Sequence, residues 1–88
     1  KSLDRADRMY MEKSTKHTLE NVPTGNTVGW RNPDSGNSGE MTVVKTREPE
    51  PGIYCREYQQ TITVGGRTEE AFGKACRKKD GTWEVVNN

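Results

Sequence analysis

Tyr58-Gln59-Gln60-Thr61-Ile62-Thr63-Val64-Gly65-Gly66-Arg67-Thr68-Glu69-Glu70-Ala71-Phe72-Gly73-Lys74-Ala75-Cys76 is the stretch whose reading fixes the fold. A β-prone run enters Gly65-Gly66, a two-residue hairpin signal, and a second run leaves it. With the two glycines as the loop, Val64 faces Arg67, and counting outward pair by pair brings Cys55 opposite Cys76 at the ninth step. Pairs alternate outward from a hydrogen-bonded pair beside the turn, so the cysteines fall on a non-hydrogen-bonded site. There the Cα atoms lie about 4.5 to 5.5 Å apart, close enough for a disulfide. The same register sets Glu57 against Lys74 and lays the Tyr58 ring over Gly73. The bond closes a loop whose restraint contributes roughly 3 kcal/mol on the chain-entropy model. A zinc site does not fit, since His17 is the only histidine and the two cysteines stand far apart. A disulfide persists in an oxidising compartment, which places the protein in the periplasm, on the cell surface or outside the cell.

Working outward from the hairpin, the chain reads as one domain over residues 1–88. Asp4 caps a helix expected over about 4–20, with Asp4/Arg8 and Glu12/Lys16 as opposite charges one turn apart. Its apolar positions are few: Leu3, Ala6 and Tyr10 on one face early, and Met11, Thr15, Thr18, Leu19 and Val22 on a neighbouring face later. Pro23 and Gly25 end it. Strands are expected over about 27–31, 40–46, 53–64, 67–78 and 82–87. The stretch Asn32 to Gly39 is nearly all turn formers, and Arg47 to Gly52 is too proline-rich for a ladder. The last connection, Lys78 to Thr82, allows two registers. A bulge with Gly81 left-handed is preferred, because Trp83 then faces Arg77, Val85 faces Ala75, and Tyr54, Tyr58, Ile62, Ala71, Ala75, Trp83 and Val85 share one face. The expected fold is α+β: one N-terminal helix packed on a five-stranded antiparallel β-meander with one cross-strand disulfide.

Composition agrees with a small exported domain. Of 88 residues, Leu, Ile, Val and Phe number only 12, yet 14 basic and 13 acidic side chains leave a net charge of +1. Disordered chains with so few apolar residues carry a large net charge, and this one does not. No apolar run approaches the roughly 18 residues of a membrane span, and Lys1 to Tyr10 is too charged for a signal peptide.

The segment Gly29-Trp30-Arg31-Asn32-Pro33-Asp34-Ser35-Gly36-Asn37-Ser38-Gly39 is distinctive. Together with Cys55-Arg56-Glu57-Tyr58, Val64-Gly65-Gly66-Arg67, Gly73-Lys74-Ala75-Cys76-Arg77 and Asp80-Gly81-Thr82-Trp83, it resembles the C-terminal domain of the bacterial, rickettsial-type 17 kDa outer-membrane surface antigen family. The resemblance spans about Asp4 to Val86. It implies a Gram-negative envelope lipoprotein built from a signal peptide with a lipidated cysteine, a glycine-rich hydrophobic segment and then this soluble domain. The location implied is the outer membrane or periplasm. The family supplies no catalytic residues to carry over.

The residues offer little for catalysis. His17 sits on a charged helix among Lys13, Lys16 and Glu20, which suits a solvated side chain better than a triad. Glu69 and Glu70 are adjacent on a strand and point to opposite faces, and Glu48 and Glu50 lie in a connector, so neither pair suits glycoside hydrolysis. Asn32, Asp34, Asn37, Ser38 and Glu40 form an oxygen-rich loop, but its spacing departs from a calcium-binding EF-hand. Arg77, Lys78 and Lys79 are followed at once by Asp80, too small a cluster for duplex binding. The expectation is a non-enzymatic surface-antigen domain with a structural or display role, with no cofactor, no metal and no nucleic-acid partner. The alternative is a periplasmic binding module for glycan or protein, for example an inhibitor of a wall-degrading enzyme, whose candidate surface is Trp30, Asn32, Asp34, Asn37, Tyr54 and Tyr58. An envelope protein or peptidoglycan is the expected partner, with membrane contact only through a lipid anchor. A monomer is expected, although the outer strands of a meander offer edges for pairing.

Overall fold

The computed structural model describes residues 2–86. One helix, α1 (Arg5–Asn21), precedes five strands: β1 (Thr27–Arg31), β2 (Ser38–Glu50), β3 (Ile53–Val64), β4 (Arg67–Arg77) and β5 (Trp83–Val85). The strands form one antiparallel sheet in chain order, the meander that the sequence predicts. Val64 pairs with Arg67 and the ladder runs without a slip to Cys55 opposite Cys76. Those two cysteines form the disulfide, with their Cα atoms 4.0 Å apart.

Two glycines inside the sheet are seats for aromatic rings. A Cβ on Gly73 would stand 2.5 Å from the Tyr58 hydroxyl, and one on Gly39 would collide with the Trp30 indole and the Thr61 carbonyl. Each ring lies flat over its cross-strand neighbour, so a sheet with few apolar side chains still covers part of its inner face.

The last hairpin takes the bulged register. Gly81 has φ +91°, Lys78 N donates to Thr82 O at 2.7 Å, and Trp83 and Val85 face Arg77 and Ala75. The fourth strand therefore stops at Arg77 and the fifth starts at Trp83; the Asn87 end of the expected 82–87 strand lies outside the described residues.

One expectation fails between Arg47 and Gly52. Strand β2 does not end at Thr46 but continues through Pro49 to Glu50. The register slips between Arg47, which faces Cys55, and Glu50, which faces Ile53, so Glu48 and Pro49 oppose no partner. A proline N–H is not missed where the ladder is already interrupted. Pro51 and Gly52 form the tight turn itself, with Gly52 at φ +82° and its N–H donated to the Glu48 carboxylate at 2.9 Å.

The helix covers only part of the sheet. A 17-residue helix is about 25 Å long, whereas the 12-residue β3 reaches about 40 Å. α1 packs on β1 and β2. Leu19, Met41, Tyr58 and Ala75 form the core with Trp83 against it, while Tyr54, Ala71 and Val85 share that face yet remain exposed.

The early helix stripe also departs from expectation. Ala6 and Tyr10 are exposed, and Asp7 points inward instead. Positions 7, 11, 15, 18 and 22 follow the helical period and form the true inner face. At the other end Arg56, buried under the helix, donates to the carbonyls of Thr18 at 3.1 Å and Leu19 at 2.7 Å, and also to that of Val22. A sheet guanidinium thus satisfies the Leu19 carbonyl and adds a second bond to that of Thr18, which also accepts from Val22 N. Its Nε donates to Thr46 Oγ1 at 3.1 Å, which fixes its position on the sheet.

Replacing both cysteines by serine lowers the unfolding free energy by about 3 kcal/mol, read as a shift in the urea midpoint of the oxidised protein against the variant. An unchanged midpoint would show that the hairpin ladder holds without its covalent tie.

Candidate functional site

The densest polar constellation in the molecule is built around Asp7. The sequence places this residue at the third position of the helix, three after the Asp4 cap. The two acids form a reciprocal capping box: Asp4 Oδ1 accepts from Asp7 N at 2.8 Å, and Asp7 Oδ2 accepts from Asp4 N at 2.9 Å. The β1–β2 loop closes over the same carboxylate. Asn32 Nδ2 and Ser35 Oγ donate to Oδ1 at 2.8 and 2.6 Å, and Asn37 Nδ2 donates to Oδ2 at 2.8 Å. Each oxygen therefore receives two hydrogen bonds, and Asp7 has no solvent exposure at all.

The loop is shaped to bring those donors together. Asn32 Oδ1 accepts from Asp34 N at 3.0 Å and Ser35 Oγ from Asn37 N at 3.1 Å, two local side-chain turns. Asn32 N donates to Asn37 O at 2.9 Å, and Gly36, at φ +78°, donates back to Asn32 O. Asn37 reaches a third element, since its Oδ1 accepts from Gly65 N at 3.1 Å in the β3–β4 turn. One carboxylate thus joins the helix start, the β1–β2 loop and, through Asn37, the glycine turn of the central hairpin.

Burial alone pushes the Asp7 carboxyl up, but the hydrogen bonds from Ser35, the Asp4 backbone, Asn37 and Asn32 outweigh it. The group is held well below the ordinary carboxylate range. Asp80 is also lowered, chiefly by the hydroxyl and N–H of Thr82.

The residues singled out from the sequence separate into two groups. Asn32 and Asn37 are buried, with their amide nitrogens on Asp7 and their oxygens accepting from backbone N–H groups, so neither presents an oxygen to a cation. Asp34 is exposed at the loop tip. Trp30 is half-buried over Gly39, Tyr58 is in the core, and Tyr54 stands apart at 42% exposed. The structure therefore does not gather Trp30, Tyr54 and Tyr58 into one stacking surface beside the loop. Among the described residues, no three His, Cys, Asp or Glu side chains converge as a metal cluster would require.

His17 is exposed, with Nδ1 3.4 Å from Asn21 Nδ2. Glu70 accepts from Gln59 on the outer face, while Glu69 points the other way. Arg77 lies 3.3 Å from Glu20. Asp7 itself is the residue that sequence reasoning missed; its signal was its place on the helical stripe with Met11, Thr15, Thr18 and Val22.

These features define a class: a small disulfide-bonded α+β domain whose buried polar groups organise the fold. The chain belongs to the 17 kDa outer membrane surface antigen family, whose profile matches residues 17–84. It is 48% identical over 85 residues to the 17 kDa surface antigen of Rickettsia conorii and to that of Rickettsia bellii. Identity to the Rickettsia prowazekii protein of the same name is 46% over 84 residues. The alignment with the first takes in 97% of this chain and 54% of the relative, so the chain spans about half the length of the curated relatives it matches. No solved structure matches it.

Asp7→Asn lowers the thermal midpoint at pH 7, because an amide cannot accept four hydrogen bonds and brings donors of its own. A carboxyl with a depressed folded pKa stabilises above its unfolded pKa near 4, and that contribution is lost as pH falls below it. The gap between the parent protein and Asp7→Asn therefore narrows on acidification from pH 5 to pH 2, as circular-dichroism melts would show. A constant gap across that range would mean that Asp7 is not ionised in the folded state.

Proposed function

We propose that this chain is the soluble, non-enzymatic domain of an outer-membrane lipoprotein, held at the envelope by a lipid anchor in the parent protein and serving a structural or display role. The observation that carries the reading is the 48% identity to a protein named a surface antigen across 97% of this chain. The relatives' greater length leaves room in the parent for an anchoring segment. Two further features support it. The Cys55–Cys76 bond belongs to an oxidising compartment, and no helix among the described residues is long and apolar enough to cross a membrane.

A non-enzymatic role also fits how the polar side chains are used. Asp7, Asn32, Asn37 and Arg56 are the buried hydrophilic residues with the most partners, and every one is spent on joining elements of the fold. The glycan form of the binding reading has less behind it, since Trp30 and Tyr58 are committed to covering glycines. An envelope protein is the better partner class.

Fractionation of the native host after growth with labelled palmitate tests the proposal. The expected result is the full-length protein in the outer-membrane fraction, carrying label, with Cys55 and Cys76 oxidised. Recovery from the cytoplasm with two free thiols, or from the periplasm without label, overturns the anchored reading.

A further inference from the structure

Strand β5 is far shorter than the strand it borders. Among the described residues it pairs with β4 at Ala75, Cys76 and Arg77, and Val86 N donates to Lys74 O at 2.8 Å. That bond also shows which β4 residues face away from β3: Lys74, and by the alternation of an antiparallel ladder Phe72, Glu70 and Thr68. Among the described residues, nothing pairs with the outer side of β4 from Arg67 to Gly73.

Side chains along this edge are unusually open. Arg67 to Phe72 are all exposed, and Phe72, the only phenylalanine, is 74% exposed. On the inner face the edge borders a hollow of about 490 Å³, beyond the reach of the helix, lined by Ile62, Val64 and Ala71 together with Gln60, Arg67 and Glu69. An open edge beside partly uncovered apolar surface is a template for strand addition, and the charges it carries at Arg67, Glu69 and Glu70 restrict which strand can add.

Charge selects the occupant. A second copy of this chain in the antiparallel register centred on the open window would set Glu70 against Glu70, and registers shifted toward Lys74 run into Val86. Like charges directly opposite are unfavourable. A foreign strand meets no such conflict if it carries basic residues opposite Glu69 and Glu70 and apolar residues opposite Ala71 and Phe72.

The geometry points to β4 as the docking edge for an extended segment of a partner protein with the antiparallel pattern apolar-apolar-basic-basic, added as a sixth strand at Thr68–Phe72. Main-chain bonds to Thr68, Glu70 and Phe72 supply the attachment. The two glutamates and the phenylalanine select the sequence. This inference stands independently of the lipid anchor, since it concerns the folded domain alone.

Titration of the isotopically labelled 88-residue chain with the capped peptide Val-Val-Lys-Lys-Thr-Glu, followed by amide NMR, tests it. The expected result is saturable shifts at Thr68, Glu70 and Phe72, and binding about tenfold weaker for the charge-reversed peptide Val-Val-Glu-Glu-Thr-Lys. Glu69→Lys/Glu70→Lys should invert that preference. Phe72→Pro should abolish binding, because it removes an outward N–H without taking a bond from the β3 ladder. The charge-swapped variant decides the matter if the proline variant does not fold. Shifts absent at millimolar peptide, equal binding of both peptides, or sedimentation as a dimer that Phe72→Pro dissolves would each overturn the proposal.

Discussion

Everything at one end of the molecule depends on a single anion that, among the described residues, has no counter-cation in contact. The Asp7 carboxylate is fully buried and stabilised by four hydrogen-bond donors, two of them asparagine amides whose other ends are themselves fixed. Charge-assisted bonds of this kind are stronger than neutral ones, and a buried acceptor left unsatisfied is costly. The loop from Asn32 to Asn37 therefore has one conformation that works, and that conformation sets where the helix begins. Arg56 does the opposite task at the far end, a buried cation on the negative pole of the helix. A helix whose one buried apolar side chain is Leu19, with Val22 buried at its C-cap, is thus pinned at both ends by charge.

The sheet was readable from the sequence because its information is local. Gly65-Gly66 fixes a register, and a register once fixed carries through ten pairs to Cys55 and Cys76. The bulge at Gly81 was legible for a similar reason, since only one register put Trp83 and Val85 on the face of Tyr58. The path from Arg47 to Gly52 was not, because proline was weighed as a ladder breaker and the slip that accommodates it depends on β3. Asp7 was hidden for a different reason. An acid in the first turn of a helix is ordinarily solvated, and its burial rests on donors 25 to 30 residues away that no local pattern connects to it. The same long-range pairing turned Asn32 and Asn37 inward, where the sequence suggested an outward, ligand-facing loop.

The shortage of apolar residues also has a structural answer. Trp30 and Tyr58 each lie across a glycine on the neighbouring strand, so that a ring face covers the sheet where that glycine has no side chain. The helix then needs to cover only the area between those rings. What remains uncovered is the distal half of the β3–β4 hairpin, and this division gives the domain its length of 42 Å against a width of 24 Å.

The disulfide lies at the end of that hairpin remote from its turn. A protease that cut the chain anywhere from Arg56 to Ala75, including the exposed Gly65-Gly66 tip, would leave two pieces still joined through Cys55 and Cys76 and still paired along most of their length. The projecting half of the molecule, the part most open to attack outside a cell, is the part that can be nicked without being lost.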